Sequence, residues 1–278
     1  QGEGIDSADR VAVVMSNQAR WLLSATAAFW SAAVLVPVDY KLTPEEQAGV
    51  LGHAKPAALV VEYPAWRKLG PALAEAGVDI ARVYVTEAPE GAALDAATRW
   101  ESDPAAAFAL RHASRGDLAC IVYSSGTGGD VKGCMLTHGN YLAQAESLGE
   151  LYPMAEGDRY FSILPTNHAI DFMCGYLIPF LFGASVVHQR TLRPELLRYT
   201  IKRYGITHMA LVPALLKAFE VRFREKLDAL EGGRRALADG LIRLNELATM
   251  KQPRPGLSRR LLAPVHDELG GRLRFIFA

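Results

Sequence analysis

Cysteine is scarce and unpatterned in this sequence of 278 residues: Cys120, Cys134 and Cys174 are odd in number, far apart and free of CxxC spacing. That excludes a disulfide scaffold, a zinc ribbon or a dithiol redox site, and the three read as reduced core thiols in a cytoplasmic protein. Net charge is missing too. Thirty Lys and Arg balance thirty Asp and Glu, so no overall field holds a polyanion and nucleic acid is excluded as a general partner. No apolar run reaches the ~20 residues that span a bilayer. The nearest, Trp21 to Val38 and Phe172 to Val187, lack formal charge but are broken by Ser, Thr, Gly or Pro, and each reads as a buried helix running into a strand. No transmembrane segment is expected. Nor does a basic segment with a small-residue cleavage site open the sequence, so there is no sign of export. The expectation is a cytoplasmic protein, with attachment to a membrane surface left open.

What is present is a core-forming composition, half of it hydrophobic, arranged as short apolar runs between helical patterns. VAVVM from Val11 precedes Ala19, Leu22, Leu23, Thr26, Phe29, Trp30 and Ala33 at helical spacing, and VLVPV follows. Thr43-Pro44-Glu45-Glu46 supplies a capping hydroxyl, a first-turn proline and a glutamate three residues after the cap, so a helix starts there. AALVV from Ala57 and ARVYV from Ala81 flank a helix over Pro64 to Ala76. Fully apolar, β-branched runs separated by helices predict a parallel-rich sheet covered on both faces, hence an α/β fold. A loop over 87–116, rich in Ala, Gly and acidic residues, marks a candidate subdomain break. After it come strand-like LACIVYS, RYFSIL, SVVHQ, HMALV and LRFIFA. The stretch from Ala214 to Leu269 reads as helix, interrupted at Gly232-Gly233 and at Pro253 to Gly256.

The chemistry concentrates in Tyr123-Ser124-Ser125-Gly126-Thr127-Gly128-Gly129-Asp130-Val131-Lys132-Gly133, directly after an apolar strand. Glycines let backbone amides turn toward an anion, hydroxyls add donors and a lysine adds a point charge, which together make a polyphosphate cradle. It is not a Walker A loop, because Val131 and Gly133 stand where that motif needs Gly and Ser or Thr. It is not a dinucleotide fingerprint either, since Val131 replaces the last glycine. The competing reading is a plain connection between two strands with a solvated lysine.

YSSGTGGDVKGCMLTHGN, from Tyr123 to Asn140, resembles the signature loop of the AMP-forming adenylating enzymes: acyl-CoA synthetases, firefly luciferase and peptide-synthetase adenylation domains. DRVAVVMSN, VPVDYKLTPEE, DLACIVYSSGT and ILPTNHAIDF also resemble family segments in family order. LVPALLKAFE, the long helical insert and LGGRLRFIFA look most like the long-chain fatty acyl-CoA synthetases. Two positions depart from the family loop: Gly128 stands where a second threonine is usual, and Val131 where proline is usual.

The resemblance implies a layered α/β fold and a two-step ligase. A fatty acid is activated with ATP as acyl adenylate, then passed to the thiol of coenzyme A. Ser124, Ser125, Gly126, Thr127, Gly128, Gly129 and Lys132 would surround the β- and γ-phosphates, with Lys132 and Thr127 in the catalytic role and Thr127 also a ligand of Mg2+. His168 matches a family position near the acyl carboxylate; its other reading is a packing histidine. Phe172, Met173, Tyr176, Leu177, Phe180 and Phe182 read either as an acyl tunnel or as plain core. The remaining six histidines show no HxH or HxxxH ligand spacing. By the same resemblance, residues 1–278 are an incomplete N-terminal AMP-binding domain, and the adenine, ribose and hinge motifs and the small C-terminal domain with its lysine are absent from this sequence. Two alternatives stay open: a non-catalytic nucleotide- or acyl-binding protein of the same fold, and an acyl-AMP ligase with another acceptor. Oligomeric state is not legible.

Overall fold

Val11 to Val14 is apolar on both faces, and a strand of that kind has to lie inside a sheet with cover above and below. In the computed structural model, which describes residues 5–94, 97–100, 110–125 and 131–277, that strand, β1 (Arg10–Val14), is the middle of a seven-stranded sheet. The described residues fall into two units, one comprising Gln1–Pro153 with Pro165–Tyr176 and the other Met154–Leu164 with Leu177–Ala278.

In the first unit α1 (Ala19–Trp30) leads to β2 (Val34–Pro37), α2 (Pro44–Ala54) to β3 (Ala58–Glu62), and α3 (Tyr63–Glu75) to β4 (Arg82–Thr86). A two-residue β5 (Thr98–Arg99), then β6 (Leu118–Ser125), β7 (Val131–Thr137) and α4 (His138–Leu151) complete the run, with α5 (Ala169–Phe172) returning to this unit. The sheet order is β5-β4-β3-β1-β2-β6-β7. Every pairing is parallel except the last, where β7 turns back antiparallel on β6. The fold class is therefore α/β with a parallel-rich sheet, as the alternation predicts. Leu35, Leu51, Leu59 and Leu69 are fully buried in its core, each worth about 1.5–3 kcal/mol over an exposed side chain.

Both near-apolar stretches resolve into a helix followed by a strand: α1 into β2, and α5, a π-helical turn (Met173–Leu177) and α6 (Ile178–Phe182) into β9 (Ser185–His188). Among the described residues no helix is long and apolar enough to cross a membrane. The second unit holds β8 (Arg159–Ser162), α6, β9, α7 (Pro194–Tyr204), β10 (His208–Ala210), α8 (Pro213–Asp228), α9 (Gly232–Thr249), α10 (Pro255–Leu261), α11 (Ala263–Glu268) and β11 (Phe275–Phe277). Its four strands pair in parallel in the order β11-β10-β8-β9. The helical stretch breaks where glycine and proline predict, although Gly232 and Gly233 open α9 rather than separating it from α8. The span 87–116 lies in the first unit and includes residues outside those described.

One expectation is corrected. Cys120 and Cys174 are buried free thiols, but Cys134 is exposed, because β7 is the edge strand and leaves Lys132 to Met135 uncovered. Burial pushes the Cys120 and Cys174 thiols up to about 12, so neither is a ready thiolate.

Candidate functional site

The glycine-rich stretch reads as a loop from Tyr123 to Gly133, but much of it is strand. β6 continues to Ser125 and β7 begins at Val131, in the register Tyr123↔Gly133, Ser124↔Lys132 and Ser125↔Val131. The hairpin thus brings Ser124, Ser125 and Lys132 together at its mouth. Gly126, Thr127, Gly128 and Gly129, the connecting residues, lie outside the described residues, as do the side chains of Ser124 and Ser125. Lys132 is exposed and has no ion pair among the described residues, so its ammonium is open to an anion. Val131, where the family loop usually has proline, packs against the core of the first unit.

Several contacts fix the hairpin. The Tyr123 hydroxyl lies 2.9 Å from Nδ1 of His53 in the last turn of α2, with the two rings edge to face. That helix starts on a full capping box: Thr43 Oγ1 accepts from the Glu46 amide, and Glu46 Oε2 from the Thr43 amide. Burial raises the Tyr123 phenol above its ordinary value, with Arg10 opposing, so it stays protonated at neutral pH. Gly133 lies under this ring. A Cβ there would stand 2.7 Å from Ile121 Cγ2 and 3.2 Å from Tyr123 Cζ. At the base, Asp117 accepts from the Ser114 amide at 2.7 Å, and Thr137 and Asn140 form a second capping box that starts α4. The sequence Thr137-His138-Gly139-Asn140 is thus a helix start, with the Gly139 amide donating to the Arg115 carbonyl at 2.7 Å.

His168 sits just before α5, exposed, with Nε2 3.3 Å from Asp39 Oδ2 beyond the end of β2. Its partner is this carboxylate rather than a hairpin residue. The segment before it is anchored: Asn17 Oδ1 accepts from the Thr166 amide, and the Thr166 hydroxyl donates to buried Asp171. Phe172 and Tyr176 pack in an aromatic cluster with Trp21 and Phe29, and the Tyr176 hydroxyl is 2.9 Å from Thr26 Oγ1. Those two behave as core, whereas Phe180 and Phe182 are exposed.

Sequence reasoning passed over a polar cluster at the carboxyl ends of β1 and β3. Glu62, nearly fully buried, accepts from Ser16 Oγ at 2.7 Å and from Gln18 Nε2 at 3.0 Å. Burial, with Asp39 and Glu62 nearby, raises the Tyr40 phenol. The connections after β1 and β3 leave in opposite directions here, the switch point where open α/β sheets place ligands. The available signal was a run of Ser, Asn and Gln closing one apolar strand and a glutamate closing another.

A glycine-rich connection between β6 and β7 of a mixed sheet narrows the family, and sequence comparison decides it: the AMP-binding enzyme model matches residues 1–276. The chain belongs to the AMP-binding enzyme family. Among its relatives is the chloroplastic long-chain-fatty-acid–[acyl-carrier-protein] ligase of Arabidopsis thaliana, 26% identical over 272 residues, 90% of this chain and 37% of that protein. The 2-succinylbenzoate–CoA ligase of Bacillus licheniformis is 28% identical over 238 residues, 85% of this chain and 45% of that protein. ATP-bound MatB from Rhodopseudomonas palustris shares the fold, with a TM-score of 0.64 and 20% identity over 99% of this chain and 45% of that one. The chain spans about two fifths of the length of the first curated relatives it matches. Among the described residues no group of three His, Cys, Asp or Glu could hold a metal ion.

Proposed function

We propose that this chain carries the phosphate-binding part of an AMP-forming ligase that activates a long-chain fatty acid and passes it to coenzyme A. The observation that supports this most is the family match across residues 1–276, which takes in the whole Tyr123–Asn140 hairpin. A carboxylate resists nucleophiles because resonance and charge both oppose attack. In the proposed reaction it attacks the α-phosphate of ATP: a carboxylate oxygen–phosphorus bond forms, the bond to the bridging oxygen breaks and pyrophosphate leaves. The thiol of coenzyme A then attacks the acyl carbon, and AMP leaves. Lys132, with the loop amides and the hydroxyls of Ser124, Ser125 and Thr127, would stabilise the charge building on pyrophosphate. His168 would face the acyl carboxylate, oriented by Asp39. Mg2+ would offset phosphate charge, with Thr127 as its protein ligand. On the same reading, residues 1–278 are the front part of a larger N-terminal domain in a cytoplasmic enzyme.

A carrier-protein thiol is the second reading for the acceptor, because the Arabidopsis relative is named for that acceptor. The test is ATP–pyrophosphate exchange by the whole encoded polypeptide with dodecanoate, followed by acyl transfer to coenzyme A or to a carrier protein. Absence of exchange with acids of every chain length would leave a non-catalytic member of the family.

A further inference from the structure

Charge balances over the whole chain but not within its units. The second unit holds nineteen Lys and Arg against eleven Asp and Glu, and the first unit holds the reverse. An excess of that size on one unit attracts an anionic surface. Within the second unit α9 is the helix least covered by its neighbours, for none of its 18 residues is buried. Helical period puts residues seven apart on one side, with those three or four apart beside them. Leu237, Leu244 and Leu247 therefore share a side of α9, and they are 64%, 52% and 66% exposed. Met250, just past the helix, is 74% exposed.

Charge is sorted around that row. Arg234 and Arg243 border it on its two flanks, and Lys251 and Arg254 follow beyond the helix end; all four are exposed, without an ion pair among the described residues. The acids of the helix, Asp239 and Glu246, fall on the opposite side by the same period, and Asp239 is held by Arg235 at 2.9 Å. A different side again is covered by α10, where Ser258 Oγ donates to Asn245 Oδ1 at 2.7 Å and Ile242, Asn245 and Thr249 are partly buried. A helix with leucines on its outer side, cations along both borders and acids furthest away has the pattern of one that lies in a lipid interface. A fluid acyl layer conforms to such a row, whereas nucleic acid makes no use of leucines and a second copy would set like charges against each other.

We propose that the outer side of α9 and the segment that follows it seat this protein on an anionic lipid bilayer. Leu237, Leu244, Leu247 and Met250 leave water for the acyl boundary, and Arg234, Arg243, Lys251 and Arg254 meet the lipid phosphates. The helix lies along the surface and crosses nothing. The inference adds a partner and does not depend on the ligase reading.

The test is co-sedimentation of the whole encoded polypeptide with vesicles of phosphatidylglycerol and phosphatidylcholine in about equal parts, against phosphatidylcholine alone. We expect binding to the mixed vesicles that is lost as salt shortens the screening length from about 10 Å to about 3 Å, and little binding to the neutral ones. Arg243→Gln with Lys251→Gln should weaken binding about twentyfold, each cation near such a surface being worth about fivefold. Leu244→Gln with Leu247→Gln keeps every charge and should weaken it by about tenfold or more. All four positions are exposed, so urea midpoints should stay at the parental value. The four tryptophans all lie in the first unit, so Leu247→Trp reports locally, and its emission should shift to the blue on mixed vesicles. No binding to mixed vesicles would overturn the proposal and leave this side of α9 to an acidic protein or to another part of the polypeptide. Binding that the leucine pair leaves unchanged, or that leaves the new tryptophan unshifted, would overturn it as well, by placing the attachment elsewhere. Vesicle binding without pyrophosphate exchange would sink the ligase reading and leave this one standing; exchange without vesicle binding would do the reverse.

Discussion

The Tyr123 hydroxyl lies 2.9 Å from Nδ1 of His53, which ties the last turn of α2 to the strand that leads into the glycine-rich connection. The tie runs back through α2 to its capping box at Thr43 and Glu46. A local helix-start signal in one segment therefore helps set the position of a strand residue eighty positions later, Tyr123 in β6.

Removing that tie should cost little stability but loosen the hairpin. A net hydrogen bond contributes about 0.5–1.5 kcal/mol, and this one is partly exposed, so Tyr123→Phe belongs at the low end. Urea unfolding should shift slightly. Amide exchange in β6 and β7 should speed up well beyond what that global change accounts for; uniform acceleration across the sheet would contradict a local role.

Two glycine-to-alanine changes should differ in sign. Gly133→Ala puts a methyl 2.7 Å from Ile121 Cγ2 and against the Tyr123 ring, and such overpacking costs about 1–3 kcal/mol. Gly49→Ala, exposed inside α2 with nothing within 4 Å of the new carbon, should stabilise by about 0.5–1 kcal/mol. Urea midpoints moving the same way for both would show that the hairpin is less tightly packed than described.

Stability should fall with acid through His188. Burial, then Arg190, pushes this imidazole from 6.5 down to about 4, and its buried Nδ1 has no hydrogen-bond partner among the described residues. The folded state thus favours the neutral ring, while the unfolded chain binds a proton near 6.5. Stability from this residue is complete above that value and is lost as pH falls from about 6.5 toward 4, amounting to at most about 3 kcal/mol. His138 and His266, also lowered chiefly by burial, act in the same direction. His188→Gln should flatten the dependence between pH 6.5 and 4 in urea titrations; an unchanged slope would remove this histidine as its source.

The apolar runs VAVV, VLVP and ALVVE and the Thr43 cap declare β1, β2, β3 and α2 in the sequence, because their periods and caps are local properties. The extent of the hairpin does not show there. Glycine content argues for a loop, whereas the antiparallel ladder that runs from Leu118↔Thr137 to Ser125↔Val131, with Tyr123 over Gly133, makes Lys132 a strand residue. Glu62 is hidden for a similar reason. A glutamate ending an apolar run reads as a solvated strand end, and its burial depends on Ser16 and Gln18, more than forty residues earlier.

Lys132 offers the sharpest separation of chemistry from structure. It is exposed on an edge strand without an ion pair among the described residues, so Lys132→Ala should change stability by no more than about 0.5 kcal/mol. If its ammonium meets the charge developing on pyrophosphate, the same change in the whole encoded polypeptide should slow exchange by about 10²–10³-fold, the loss typical of one electrostatic contact to a transition state. Lys132→Arg keeps the charge but replaces a compact ammonium with a planar fork, so it should recover only part of the rate. The Michaelis constant for the acid should move little, since the proposed contact is with phosphate. Exchange at the parental rate in Lys132→Ala, with the fold intact, would leave the lysine a solvated strand residue and remove it from the proposed chemistry.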